Sequence, residues 1–253
     1  MKTALICVSF GTSVAAARES ITAVENALRA QLPQADFFTA FTSKTIRRKL
    51  AASGEKIPSL EEVLEKTAGQ YDLVLVQPTH FLYGIEYDSL CRCIAGFQPR
   101  FAALKLGKPL LARTQDLQDL AQVLSDRYPM EPGRCLVLMG HGTLHQANVV
   151  YPALQTVLNL MGRPDMLVGT VEGWPALPEV CGQLKEKDCS RVTLLPLMLV
   201  AGDHALNDMA GEEEDSWKSI LTAQGYQVEC IMQGLGVESG VQALYCQHLQ
   251  DLL

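Results

Sequence analysis

His141, Glu172 and His204 are the side chains of this sequence whose types and spacing could do chemistry together. Two imidazoles and a carboxylate suit a divalent first-row metal, and three protein ligands leave coordination positions open for a substrate. They stand 31 and 32 residues apart, roughly one strand-helix-strand unit each, so repeated architecture has to bring them together. His141 sits between Gly140 and Gly142, which permits either a close backbone approach to a bulky ligand or a tight strand-to-helix turn. Glu172 precedes Gly173-Trp174-Pro175, a turn where plain exposure explains a glutamate as well as function does. Asp203 reads as a helix N-cap with His204 in the first turn, where the helix dipole favours a neutral imidazole able to bind metal or accept a proton. Alone, His204 reads as a capping residue with Asp203 and Asp208 as ordinary first-turn acids. Beside His141 and Glu172 it reads as a ligand.

The elements that must hold these groups are visible as short aliphatic runs alternating with longer amphipathic stretches. LICVS, DFFTAF, LVLVQ, PLLA, CLVLM, LVGTV, VTLLPLMLV and VECIM read as strands; 14–31, 59–68, 86–104, 115–128, 146–161, 176–187 and 237–252 read as helices. Such alternation predicts an α/β protein with parallel sheets flanked by helices. The pattern also runs twice. LICVSFGTS at 5–13 lies over LVLMGHGTL at 136–144, and VQPTHFLYGIEYD at 76–88 lies over LLPLMLVAGDHAL at 194–206, superposing Pro78 on Pro196, Gly84 on Gly202 and Glu86 on His204. PLLA with its helix echoes VECIM with the last helix. Two similar halves follow, 1–131 and 132–253, the second carrying the main metal residues. Whether helix 237–252 packs on its own half or back on the N-terminal one is left open by the pattern. Ligands of open parallel sheets bind beyond the carboxyl ends of the strands, so the three side chains are expected to converge on a cleft between the halves.

Composition narrows the function classes. The chain has 253 residues, 48% hydrophobic, with 28 acidic against 21 basic side chains and a net charge of −7. That balance excludes a nucleic-acid binder. MKTALICVSFGTS reads as a first strand rather than a leader, and nothing approaches the ~20 apolar residues of a membrane helix, so a cytoplasmic protein is expected. Eight cysteines without an export signal read as free thiols, and Cys91-x-Cys93 as packing rather than ligation. Gly234-Leu235-Gly236-Val237-Glu238-Ser239-Gly240 has one residue too many for a dinucleotide fingerprint. Glu212, Glu213, Glu214 and Asp215 read as a solvated helix start, and His80 as a surface histidine with a supporting role beside Glu86 as the alternative. Lys44, Arg47, Arg48 and Lys49 form the densest basic cluster, read mainly as a solvated helix face.

SFGTS at 9–13, AFTS at 40–43, MGHG at 139–142, VE followed by Pro at 171–175 and PLMLVAGDHALNDM at 196–209 together resemble the anaerobic sirohydrochlorin cobalt chelatases, class II enzymes related to ferrochelatase. The resemblance spans nearly the whole chain, and its last motif is the most specific. It implies two flavodoxin-like halves in a chelatase-like fold and an ATP-independent insertion of Co²⁺ into sirohydrochlorin, with release of two protons, during anaerobic cobalamin synthesis. It also implies that His141, Glu172 and His204 are the metal-site residues, that His141 accepts a pyrrole proton, and that Glu86 in Gly84-Ile85-Glu86-Tyr87 is a second acidic group for the reaction. No permanently bound cofactor is implied; Co²⁺ is a substrate. The macrocycle carries many carboxylates, so a chain of negative net charge needs local donors. Ser9, Phe10, Gly11, Thr12 and Ser13, read as a helix N-terminus, and Arg113 beyond PLLA are the candidates. A chelatase for Fe²⁺, Ni²⁺ or another tetrapyrrole, and a carrier without turnover, are the rival readings. Oligomeric state, a homo-oligomer included, stays open.

Overall fold

The computed structural model describes residues 2–253. The strands are β1 (Thr3–Ser9), β2 (Asp36–Phe41), β3 (Leu73–Pro78), β4 (Leu104–Leu106), β5 (Gly133–Gly140), β6 (Met166–Thr170), β7 (Cys189–Pro196) and β8 (Gln227–Cys230). The α-helices are α1 (Arg18–Gln31), α2 (Lys44–Ala52), α3 (Leu60–Thr67), α4 (Ile85–Phe97), α5 (Thr114–Arg127), α6 (Val150–Leu160), α7 (Leu177–Lys185), α8 (Trp217–Ala223) and α9 (Ser239–Gln250). Two four-stranded parallel sheets result, ordered β2-β1-β3-β4 and β6-β5-β7-β8. The orders correspond strand for strand, the first three pairs as the duplicated pattern predicts and the fourth through a different segment from PLLA. Pro78 ends β3 beside Val8 of β1, and Pro196 ends β7 beside Met139 of β5.

One compact unit comprises residues 1–112 and 236–253, the other 113–235. This differs from a division at 131/132 in two elements. Helix α5 belongs with the second unit, where it packs on α6, and α9 belongs with the first, where it packs on α1 and touches β3. Helix α9 buries Val241, Leu244, Tyr245 and Leu249, and the Tyr245 hydroxyl donates to the Thr79 carbonyl at 2.7 Å. The apolar strand residues Ala4, Ile6, Val8, Val74 and Val76 meet α3 and α4 in the first core; Val137, Met139, Val192 and Leu194 meet α7, α8 and Trp217 in the second.

Local chemistry sets the boundaries. The Ser59 hydroxyl accepts from the Glu62 amide while the Glu62 carboxylate accepts from the Ser59 amide, so two of the four orphan donors at the start of α3 are satisfied. The expected strand at 109–112 is instead a buried turn, with β4 five residues earlier. Leu110 and Leu111 are buried, and their amides donate to the carbonyls of His80 and Phe81 at 2.9 and 2.8 Å. Their apolar character serves a loop that bonds to another loop, which periodicity alone cannot separate from a strand. Among the described residues no helix is long and apolar enough to cross a membrane.

Candidate metal centre

In the second unit the strand ends place the three side chains side by side. Strand β5 lies between β6 and β7, and its ladder continues past the strands. The Val171 amide donates to Gly140 at 3.0 Å, Glu172 to His141 at 2.7 Å and Leu197 to Met139 at 2.8 Å. His141 and Glu172 are therefore held as neighbours by their own backbones. The donor atoms of His141, Glu172 and His204 all lie within 4.8 Å of one another. The His141 Nδ1 stands 3.7 Å from the Glu172 carboxylate, and the two imidazoles meet edge to face with centroids 4.5 Å apart. Donors bonded to one tetrahedral ion at about 2.1 Å sit roughly 3.5 Å from each other, so small side-chain rotations close the set on a metal. His141 and Glu172 are half exposed, which leaves the centre open to substrate.

The loops carrying these residues are tied to each other. Gly142 has φ +81°, and a Cβ there would lie 2.5 Å from the Gly173 amide nitrogen and 2.8 Å from Thr170 Cβ, so only glycine lets the His141 loop pass the Glu172 loop. The Asn148 side chain accepts from the Thr143 amide at 3.0 Å and donates to the Trp174 carbonyl at 2.6 Å, joining the same two loops. Tyr151 accepts from the Gly142 amide through its hydroxyl at 3.2 Å. Pro175 closes the Glu172 turn by accepting from both the amide and the hydroxyl of Thr170.

His204 stands in the first turn of a short helical segment, as expected, but its acidic neighbours differ from expectation. Asp203 is within the helical run rather than outside it as a cap. The segment widens at Ala205–Met209, where the Ala210 amide reaches the Ala205 carbonyl five residues back. Asp208 is more than a first-turn acid: its carboxylate lies 2.7 Å from His204 Nδ1. With the Nδ1 proton directed at Asp208, Nε2 is the ring nitrogen left available to a metal, and the carboxylate fixes the orientation of the ring. The His-x-x-x-Asp spacing was the available signal, since residues four apart on a helix are neighbours.

The other candidates fall in different settings. Glu86 is exposed in the first turn of α4, in the first unit, and is not a member of the three-residue cluster. The 9–13 segment is not a helix N-terminus, because α1 begins only at Arg18 after a turn at 15–17. Ser9 is buried and accepts from the Thr79 hydroxyl at 2.8 Å; the Thr12 hydroxyl accepts from the Val14 amide. Gly11 has φ +98° and packs on the Phe41 ring, Phe10 is 48% exposed and Ser13 is partly buried. The Arg113 guanidinium bonds Asp116, whose carboxylate also accepts from the Arg113 amide at the start of α5. His80 is not a surface histidine: both ring nitrogens are buried without a hydrogen-bond partner, and burial pushes its pKa down to about 4. All eight cysteines are free, and Glu212 pairs with Lys218.

Residues 3–253 match the family described as cobalt chelatase (CbiK). A sirohydrochlorin cobaltochelatase of Salmonella typhimurium is 38% identical across 100% of this chain and 97% of its own length. The sirohydrochlorin cobaltochelatase CbiKC of Nitratidesulfovibrio vulgaris is 31% identical over 98% of this chain and 89% of its own. Among solved structures, SirB from Bacillus subtilis with Fe³⁺ superposes with a TM-score of 0.68 at 17% identity, covering 100% of this chain and 96% of that one. CbiX, described as the terminal enzyme of sirohaem biosynthesis in denitrifying bacteria, gives 0.55 at 18% identity and covers 99% of each chain. These structural likenesses establish the fold.

Proposed function

Because this chain belongs to the cobalt chelatase family CbiK, we propose that it inserts Co²⁺ into sirohydrochlorin, without ATP, in anaerobic cobalamin synthesis. The convergence of His141, Glu172 and His204 is the observation that carries the reading. Insertion requires the ion to shed water while two N–H protons leave the macrocycle, so a base and weakly held ligands must stand close together. His204, oriented by Asp208, and Glu172 present the incoming Co²⁺. His141 receives a pyrrole proton. In the tautomer whose Nδ1–H donates to the Gly142 carbonyl at 2.9 Å, its Nε2 lone pair is free for that proton. Glu86 is the proposed acceptor of the second, a role that rests on its motif. Co²⁺ is a substrate of the reaction, and no resident cofactor enters it. Free cysteines in every position suit a reducing compartment and support a cytoplasmic site of action.

The test is the absorption change of sirohydrochlorin with Co²⁺, followed with and without the protein. A rate equal to the protein-free control would refute the chelatase reading. Parallel arms with Fe²⁺ and Ni²⁺ decide metal preference, because an imidazole-carboxylate set orders divalent ions by affinity without selecting cobalt. His141→Ala separates enzyme from carrier: the enzyme loses turnover and retains macrocycle binding, whereas a carrier has no turnover to lose.

A further inference from the structure

Helix α2 places Lys44, Arg47, Arg48 and Ala51 at i, i+3, i+4 and i+7, a single face. That face lines an open groove of about 610 Å³ whose other wall is Lys56, Ile57, Pro58 and Glu62. The Phe41 amide donates to the Pro58 carbonyl at 3.0 Å, so this wall is fastened to the edge strand β2. Four cations thus surround one carboxylate in a chain whose net charge is −7. Glu62 is already engaged twice, accepting from the Ser59 amide at 2.6 Å and from Arg47 at 3.2 Å. Lys44, Arg48 and Lys56 are exposed and make no ion pair among the described residues. Arg47 Nε is buried with no hydrogen-bond partner.

A solvated helix face accounts for exposed lysines but not for four cations lining one groove, with a single carboxylate among them, in a chain of net charge −7. Like charges three and four apart on a helix also repel. An oxyanion ligand relieves that repulsion. The Arg47 guanidinium, which already pairs with the Glu62 carboxylate, suits carboxylate oxygens. The start of α2 is tied to the 9–13 loop: the Thr42 amide donates to Ser9 and the Ser43 amide to Phe10, at 2.9 and 3.2 Å.

We propose that this groove is a polycarboxylate subsite that takes peripheral carboxylate arms of the tetrapyrrole substrate, with Lys44, Arg47, Arg48 and Lys56 as the recognising charges. The proposal rests on the chelatase reading. It is tested with the triple variant Lys44→Gln/Arg48→Gln/Lys56→Gln, confirmed folded by circular dichroism, and with Arg47→Lys, which keeps the charge and removes the fork. Sirohydrochlorin binding is titrated calorimetrically, and KM is measured separately for sirohydrochlorin and for Co²⁺. The triple variant is expected to raise the Kd and KM for sirohydrochlorin by about tenfold or more, tenfold being the loss of a single one of its three charge-assisted contacts, and to shift the Co²⁺ KM less than twofold. Arg47→Lys is expected to weaken macrocycle binding in the same direction. Unchanged sirohydrochlorin Kd in the triple variant overturns the proposal. Citrate, a free tricarboxylate, separates the two sources of the ligand. Competition with sirohydrochlorin that the triple variant abolishes supports the subsite; citrate binding that leaves sirohydrochlorin affinity untouched assigns the groove to a free anion and overturns it. If wild-type protein binds sirohydrochlorin without inserting Co²⁺, the chelatase reading fails while the binding comparison still decides the groove.

Discussion

At the scale of single residues, a fourth side chain outside the three-residue cluster braces one of its members. Asp208 holds His204 Nδ1 at 2.7 Å, so Asp208→Ala should lower Co²⁺ affinity about 10- to 100-fold, read by competition with a metallochromic indicator. Wild-type affinity in that variant would remove its orienting role. His80 supplies a pH prediction. Its pKa is lowered to about 4 by burial, against about 6.5 in an unfolded chain, so between those values the unfolded state binds the proton that the folded state refuses. Stability is complete above pH 6.5 and falls as pH drops toward 4, by roughly 3 kcal/mol. Urea unfolding of His80→Leu across this window should show a pH slope smaller by one proton. An identical slope would mean that His80 is protonated in the folded state. The convergence of His141, Glu172 and His204 was legible because three strand ends repeat at near-equal spacing. The burial of the His80 ring was not, because it follows from tertiary packing, and a distant segment, Leu110 and Leu111, bonds to the backbone of this loop.

At the scale of elements, the loops past the strands determine whether His141, Glu172 and His204 stay together. Gly142→Ala forces a Cβ against the Gly173 amide from a positive φ and should cost about 2–3 kcal/mol. It should also weaken Co²⁺ binding, since the displaced loops carry His141 and Glu172. Gly133→Ala is the control: φ is +71° but nothing lies within 4 Å of the added Cβ, so it should cost only about 1 kcal/mol. Equal effects in urea unfolding would refute the crowding argument. Strands and most helices were readable from alternation and caps. PLLA was misread because a buried turn and a buried strand share composition, and the helix expected at 14–31 starts at Arg18 because the chain first turns back at 15–17.

At the scale of the molecule, the repeated strand order bears out the internal duplication that Pro78 and Pro196 signalled. The assignment of α5 and α9 to units was beyond sequence reasoning, since an amphipathic helix states that one face is buried but not against what. Helix α9 is anchored where Tyr245 meets the Thr79 carbonyl, and Tyr245→Phe should lower the stability of the first unit by about 1 kcal/mol. Faster hydrogen exchange in β3 and α9 than in β5 and β7 would locate the loss; uniform exchange would contradict it.

The discontinuity of the first unit, interrupted at 112 and resumed at 236, orders the events of synthesis. Residues 113–235 leave the ribosome as an unbroken stretch. The earlier 112 residues must wait for α9 before their core is covered. The segment bearing His141, Glu172 and His204 is thus the part of the nascent chain that can finish first.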